Sequence, residues 1–291
     1  MNSNTISFGL APRINACGRM GFEKEALELF LTNDYKEAKI ITERLNKYNQ
    51  ERQQIEKKIY DEAVKMIEKS EKDKKAIILG NTGWHHGVIG IVSSKITEMY
   101  FKPSILVCFE DKIGKGSGRS IPGFDLHGAL ADLSNYLIKY GGHEMAVGLG
   151  IEKKEFNRFK EAFEEYAKNK KVEDIVQVLE IDKQVTLKEV NIDVIKELDL
   201  LEPFGEANRK PIFAFKNLKI DSIRALSDGK HIKLTLKDGA TIINAIGFNM
   251  GYVSNDYTLG DQIDVAGMLE INEFNGTNFI QINIKDIMKS Y

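Results

Sequence analysis

From Asn33 to Ser70 the chain contains neither glycine nor proline, and small or apolar side chains recur at Ala38, Ile41, Leu45, Tyr48, Ile55, Ile59, Ala63 and Met66. That spacing follows the helical period, and Thr32 to Asp34 supply capping groups at its start. One long amphipathic helix is predicted. At 1.5 Å per residue it would span about 55 Å, too long for the interior of a small domain and suited to a connecting strut.

The segments on either side of the strut differ. Upstream, Gly9 to Gly21 (GLAPRINACGRMG) is rich in glycine and arginine and aperiodic, so it reads as a loop that approaches something closely. Downstream, Lys75 to Gly80 and Pro103 to Phe109 have the apolar pattern of buried strands, and His86 to Tyr100, Asp125 to Leu137 and Lys154 to Lys170 read as helices. Gly114 to Ser120 reads as a Gly/Ser loop. Strand, helix, strand and helix in that order predict an α/β domain. After Lys171 a short helix at Asp193 to Leu200 is broken by Pro203 and Gly205. Five strand-like runs follow: Ile212 to Leu226, His231 to Leu236, Thr241 to Phe248, Gln262 to Ile271 and Asn278 to Ile287. Turn signals at Asp228-Gly229, Asp238-Gly239 and Asn275-Gly276 complete the pattern of a small all-β barrel of the OB type.

Charge limits how such a chain could hold a polyanion. Residues 1–120 carry 20 Lys and Arg against 16 Asp and Glu, residues 121–204 carry 11 against 17, and residues 205–291 carry 10 against 10. No domain-wide positive field exists, so any grip on nucleic acid must come from local clusters of Arg and Lys. The apolar runs fall short of the roughly 20 residues that a membrane span needs, and Met1 to Ser7 is polar, so no membrane partner and a cytoplasmic location are expected. Cys17 and Cys108 lack metal-ligand spacing and read as free buried or half-buried thiols.

Four clusters could carry chemistry. Arg13, Asn15 and Arg19 offer bidentate donors to phosphate oxygens, or alternatively partners for carboxylates elsewhere. His85 and His86 follow Trp84 at a strand-to-helix junction, where backbone N–H groups can meet an anion; both could instead be structural histidines. Gly114 to Ser120 (GKGSGRS) gathers Lys115, Ser117, Gly118, Arg119 and Ser120 into a possible phosphate cradle, although the order of a Walker A loop is absent. Gly141 and Gly142 would expose His143 at a tight backbone approach. Phosphodiester hydrolysis with two metal ions needs clustered carboxylates, and no Asp-x-Asp or Asp-His-His string occurs. Neither catalytic nor metal-ligating residues are therefore assigned.

In order along the chain, GLAPRINACGRMG, the helix with Leu45-Asn46 and Arg52, GWHHGVIGIVSSKI, GKGSGRSIPGFDLHGAL, KYGGHEMAVGLGI and LEPFGEAN resemble the RecJ-type exonucleases of the DHH phosphoesterase superfamily. The resemblance covers essentially the whole chain. It implies that residues 1–32 are the remaining edge of a metal-binding DHH domain, 33–72 the connecting helix, 73–171 the α/β DHH-associated domain, and 172–291 an OB-like nucleic-acid-binding domain. Arg13, Asn15 and Arg19 would then border the active-site cleft, with Ser117 to Ser120 and Gly141 to His143 matching substrate-binding motifs. The complete family enzymes remove nucleotides from a 5′ end of single-stranded DNA with Mn²⁺ or Mg²⁺, in repair and recombination. No metal is expected on this chain alone. The expected function is thus the substrate-gripping part of such an exonuclease, inactive without the DHH domain supplied in cis or in trans; any repair-protein partner is unknown. Two other expectations compete. A stand-alone single-strand-binding module would use exposed aromatics such as Phe248, Tyr252 or Phe274, and a small-nucleotide phosphoesterase of the DHH type would have no use for the OB-like extension.

Overall fold

The computed structural model describes residues 3, 5–274 and 276–290, without the side chain of Phe274. The chain divides into two compact units, Ser3–Gln177 and the part from Val178 onward.

In the first unit a π-helical turn, Thr5–Leu10, leads into α1 (Ala11–Met20), followed by α2 (Glu23–Leu31) and α3 (Tyr35–Met66). The loop expected over Gly9 to Gly21 is therefore helical. Pro12 lies in the first turn of α1, where its missing N–H costs nothing, and Gly21 closes the helix at φ +84°, its N–H donating to the carbonyl of Cys17. The residues between follow the helix; Ala16 and Cys17 are buried, Cys17 in one cluster with Ile41 and Leu45 of α3. The strut forms as expected: Asp34 caps α3 by accepting from the Lys36 N–H, and a π-helical turn, Ile67–Glu71, ends it.

Beyond it come β1 (Ile77–Asn81), α4 (His86–Tyr100), β2 (Ser104–Glu110), β3 (Ile113–Arg119), α5 (Leu126–Asp132), β4 (Leu137–His143), β5 (Ala146–Glu152) and α6 (Phe156–Asn169). The sheet order is β1-β2-β3-β5-β4, with β1 and β2 parallel and the other pairs antiparallel. One face buries Ile105, Val107, Val147, Leu149 and Ile151 against Phe159 and Phe163 of α6 and Leu130 of α5. On the other face, Ile77, Leu79, Leu106 and Cys108 pack against Ile59 and Ala63 of α3 and Val88, Val92 and Ile96 of α4. The two cysteines are buried and unpaired.

The expected loop over Gly114 to Ser120 is a central strand. Its glycines alternate, and a Cβ at Gly114, Gly116 or Gly118 would run into Phe109 and Val107, Leu149, or Val147 and Ile105. Glycine here makes room for large core side chains on neighbouring strands, and the strand's main chain is spent on the β2 and β5 ladders. A backbone cradle for phosphate is therefore not formed. The side chains of Lys115, Ser117 and Arg119 alternate onto the opposite face.

The second unit begins with β6 (Lys183–Gln184), which the sequence reading missed, and α7 (Ile192–Asp199). The barrel strands are β7 (Phe213–Leu226), β8 (His231–Asp238), β9 (Thr241–Gly247), β10 (Gln262–Phe274) and β11 (Thr277–Lys289), with α8 (Val253–Asp256) between β9 and β10. Antiparallel pairs β7–β8, β8–β9, β10–β11 and β10–β7 and the parallel pair β9–β11 close an OB-type barrel. Phe215, Ile220, Leu234, Ala245, Ile263 and Ile282 fill it.

Candidate functional site

In the first unit the end of α1, the start of α4 and strand β3 converge on one polar cleft lined by Asn15, Arg19, His86, Gly90, Ser117 and Arg119. Arg19 donates to the carbonyl of Gly87 at 3.1 Å. Arg119 donates to its neighbour's carbonyl, Gly118, at 2.7 Å and approaches the Ser117 hydroxyl at 3.3 Å. Neither guanidinium has a carboxylate partner among the described residues. Burial lowers the Arg119 pKa from its usual value, and the nearby charge of Arg19 lowers it further. Two cations facing one cleft without an internal counter-ion among the described residues form a pocket for an external anion, and their planar forks suit phosphate oxygens.

The other sequence-selected residues have separate places. Arg13 turns away to Asn46 on α3, donating to Oδ1 at 2.6 Å, and to the carbonyl of Gly9, so it braces α1. His85 caps α4: its Nδ1 accepts from the Gly87 N–H at 3.2 Å, and burial, reinforced by the charge of His86 against the opposing pull of Glu110, lowers its pKa. His86 stacks on His85 at 5.2 Å between ring centroids and faces Glu110, its Nδ1 3.6 Å from a carboxylate oxygen. Glu110 also holds Lys115 at 3.1 Å, which lowers the Glu110 pKa and leaves Lys115 with a counter-ion. Ser120 is buried and accounts for itself locally, bonding the carbonyl of Phe124 through its hydroxyl and that of Met145 through its N–H.

Gly141, Gly142 and His143 lie in β4 as part of the ladder. Gly142 has φ +137°, and a Cβ there would meet the Ala146 carbonyl at 2.3 Å, so the Gly142 position requires glycine. Across the sheet, Ser117 pairs with Gly148 and Gly148 with Gly141, while Arg119 pairs with Ala146 and Ala146 with His143. His143 thus shares the Arg119 face two strands away, about 10 Å by strand spacing. Between them lies Ala146, and beside that row the exposed Gly148 and Gly141, in line with Ser117, give this face a low floor that extends from the arginine cleft. Gly90 and Gly148 stand in the quoted motifs without an assigned role, because a glycine within a helix or strand pattern signals close approach without saying to what.

Among the described residues no group of three or more His, Cys, Asp or Glu could hold a metal ion. The cleft's own donors are cationic or neutral, which suits an anion and not Mn²⁺ or Mg²⁺. No helix of the described residues is long and apolar enough to cross a membrane.

Residues 73–169 match the DHHA1 domain family and residues 181–286 the RecJ OB domain family. The single-stranded-DNA-specific exonuclease RecJ of Bacillus subtilis is 33% identical over 289 residues, 98% of this chain and 37% of the relative. Crystal structures of RecJ from Thermus thermophilus in complex with Mg²⁺ and with Mn²⁺ superpose over the whole chain with a TM-score of 0.86, at 31% and 30% identity, and the chain covers 44% and 42% of them. The chain therefore spans well under half the length of these relatives.

Proposed function

This chain is a RecJ homologue that carries a DHHA1 domain and a RecJ OB domain, and we propose that it grips single-stranded DNA for a metal-dependent 5′ to 3′ exonuclease of DNA repair and recombination, acting in the cytoplasm. The observation that carries this reading is the Arg19–Arg119 cleft, cationic and free of internal carboxylates. A phosphate of the strand would take both guanidiniums, with the Ser117 hydroxyl and the Asn15 amide completing its shell. The strand would continue over the glycine floor towards His143, and the OB barrel would hold a further stretch. Mn²⁺ or Mg²⁺, as in the Thermus structures, would activate water and neutralise the phosphodiester. The described residues do not fit these ions, so the ligands belong to a DHH domain acting in cis or in trans, with residues 1–32 as its edge and α3 as the link.

The test has two arms on the purified chain: binding of a 5′-phosphorylated single strand across a salt series, and digestion of the same strand with Mn²⁺. Salt-sensitive binding without cleavage is expected. Arg119→Ala should weaken binding by about 1–3 kcal/mol and flatten the dependence of log K on log salt by about 0.7, one phosphate contact. Chelator-sensitive cleavage would overturn the assignment of the metal ligands to another domain, and unchanged binding by a folded Arg119→Ala variant would overturn the cleft.

A further inference from the structure

The arginine cleft forms where two elements, α1 and β3, approach α4 more closely than ordinary side chains allow. Along one side of α4, Gly87, Gly90, Ser93 and Thr97 follow at helical spacing and face in turn α1, β3 and β2. A Cβ at Gly87 would lie 2.1 Å from the main-chain oxygen of Arg19, which cannot yield. A Cβ at Gly90 would lie 2.9 Å from Ser117 Oγ and 3.4 Å from the Arg119 guanidinium. One turn further on, hydroxyls replace hydrogens. The Ser93 and Ser104 oxygens are 2.8 Å apart, Thr97 Oγ1 is 2.8 Å from Ser104 Oγ, and Thr97 also reaches the carbonyl of Arg119 at 3.4 Å. All three hydroxyl residues are buried, and Ser104 pairs with Arg119 in the β2–β3 ladder.

Resting on the reading that Arg19 and Arg119 hold a DNA phosphate, we infer that Gly90 and the Ser93–Thr97–Ser104 hydroxyl cluster are positioning residues for that grip. The cluster fixes the main chain of Arg119 relative to α4. Gly90 leaves the volume through which its guanidinium reaches Arg19, and Gly87 lets the α1 end close from the other side. Arg119 is two-centred in this arrangement: its carbonyl is tied to Thr97 and its side chain is bounded by Gly90, so it has little freedom to relocate. Buried hydroxyls satisfied by one another and by the carbonyls of Ser93, Ser104 and Arg119 hold such a register firmly, because any slip leaves a donor or acceptor unpaired.

If the small residues merely served packing, enlarging one would lower stability and leave the number of phosphate contacts alone. The experiment separates these cases with Gly90→Ala, Arg119→Ala and the double variant, each checked for fold by circular dichroism and titrated with oligothymidylate over a salt series. Expected are about a tenfold loss of affinity for Gly90→Ala, a salt slope reduced by about 0.7 as for Arg119→Ala, and no further loss in the double variant. A loss with unchanged slope, losses that add to those of Arg119→Ala, or unchanged affinity would each overturn the inference. Should Gly90→Ala not fold, Thr97→Val, which keeps the shape and removes the hydroxyl, is judged by the same three criteria. If Arg119→Ala alone changes neither affinity nor slope, the functional reading fails first; if it does and the α4 variants do not, only the positioning inference fails.

Discussion

Arg19 and Arg119 stand together in the first unit with no carboxylate partner among the described residues, whereas in the barrel Lys216 is held by Asp264 at 2.6 Å and residues 205–291 carry equal numbers of acidic and basic side chains. What the barrel presents instead is aromatic: Phe248 and Tyr252 are each 52% exposed, Phe248 lying edge-on to His231 at 5.5 Å. A polyanion can be held by charge at a few points or by stacking along its bases, and the two strategies differ in their response to salt. The contrast teaches that a near-neutral chain need not be a poor nucleic-acid ligand, since local geometry can separate charge from area.

The sharpest break in the comparison is between buried and exposed rings. Phe159 is fully buried in the first unit among Phe163 and the sheet. Phe159→Ala should cost about 3–5 kcal/mol of stability in urea unfolding. Phe248→Ala should leave stability within about 0.5 kcal/mol and instead weaken single-strand binding by about 1–3 kcal/mol with the salt slope unchanged. A reduced slope for Phe248→Ala, or none for Arg119→Ala, would erase the division between a charged unit and a stacking unit. The Phe274 side chain, a third aromatic expected at such a surface, lies outside the described residues.

Periodicity made the strut, the helices and first two strands of the α/β domain and the five barrel strands legible, because apolar residues report which face is buried, whereas the glycine-bearing β4 and β5 do not read as strands. It failed where glycine dominated. In α1, Gly18 and Gly21 suggested a loop, although Pro12 and Gly21 mark the start and stop of a helix. In β3, Gly114, Gly116 and Gly118 look like flexibility but are the small half of a strand's alternation, opposite Phe109, Val107 and Val147. The site was legible as residue types and not as a constellation. Asn15, Arg19, His86, Ser117 and Arg119 come together through tertiary approach, while Arg13, His85 and Ser120 share their motifs and serve as brace, cap and tie. Nothing in a motif distinguishes a guanidinium aimed at a ligand from one spent on a neighbouring helix.

The two units should also part company in acid, and there the expected effects are smallest. His85 caps α4 only while neutral, because a protonated Nδ1 cannot accept the Gly87 N–H. Burial, aided by His86, holds its folded pKa below the unfolded value of about 6.5. The unfolded chain therefore binds the proton first, so the cap's contribution is complete above that value and drains away as pH falls through the folded pKa. In the barrel, burial alone would raise the Asp264 pKa, but bonds from Lys216, Ser290 and the Asn217 N–H outweigh it and lower it. Its contribution is present above about 4 and is lost only below that value. Trp84, the single tryptophan, is buried beside His85 and reports on the first unit alone. Followed by its fluorescence, the stability gap between the natural chain and His85→Ala should be about 1 kcal/mol at pH 8 and close as pH falls below 6.5. The gap produced by Asp264→Ala, followed by tyrosine emission, should hold until the pH falls below about 4. A His85 gap that persists to pH 5 would mean that the imidazole is packed there for its bulk, and that the start of α4, from which Gly87 and Gly90 shape the cleft, is fixed by the helix's apolar face alone.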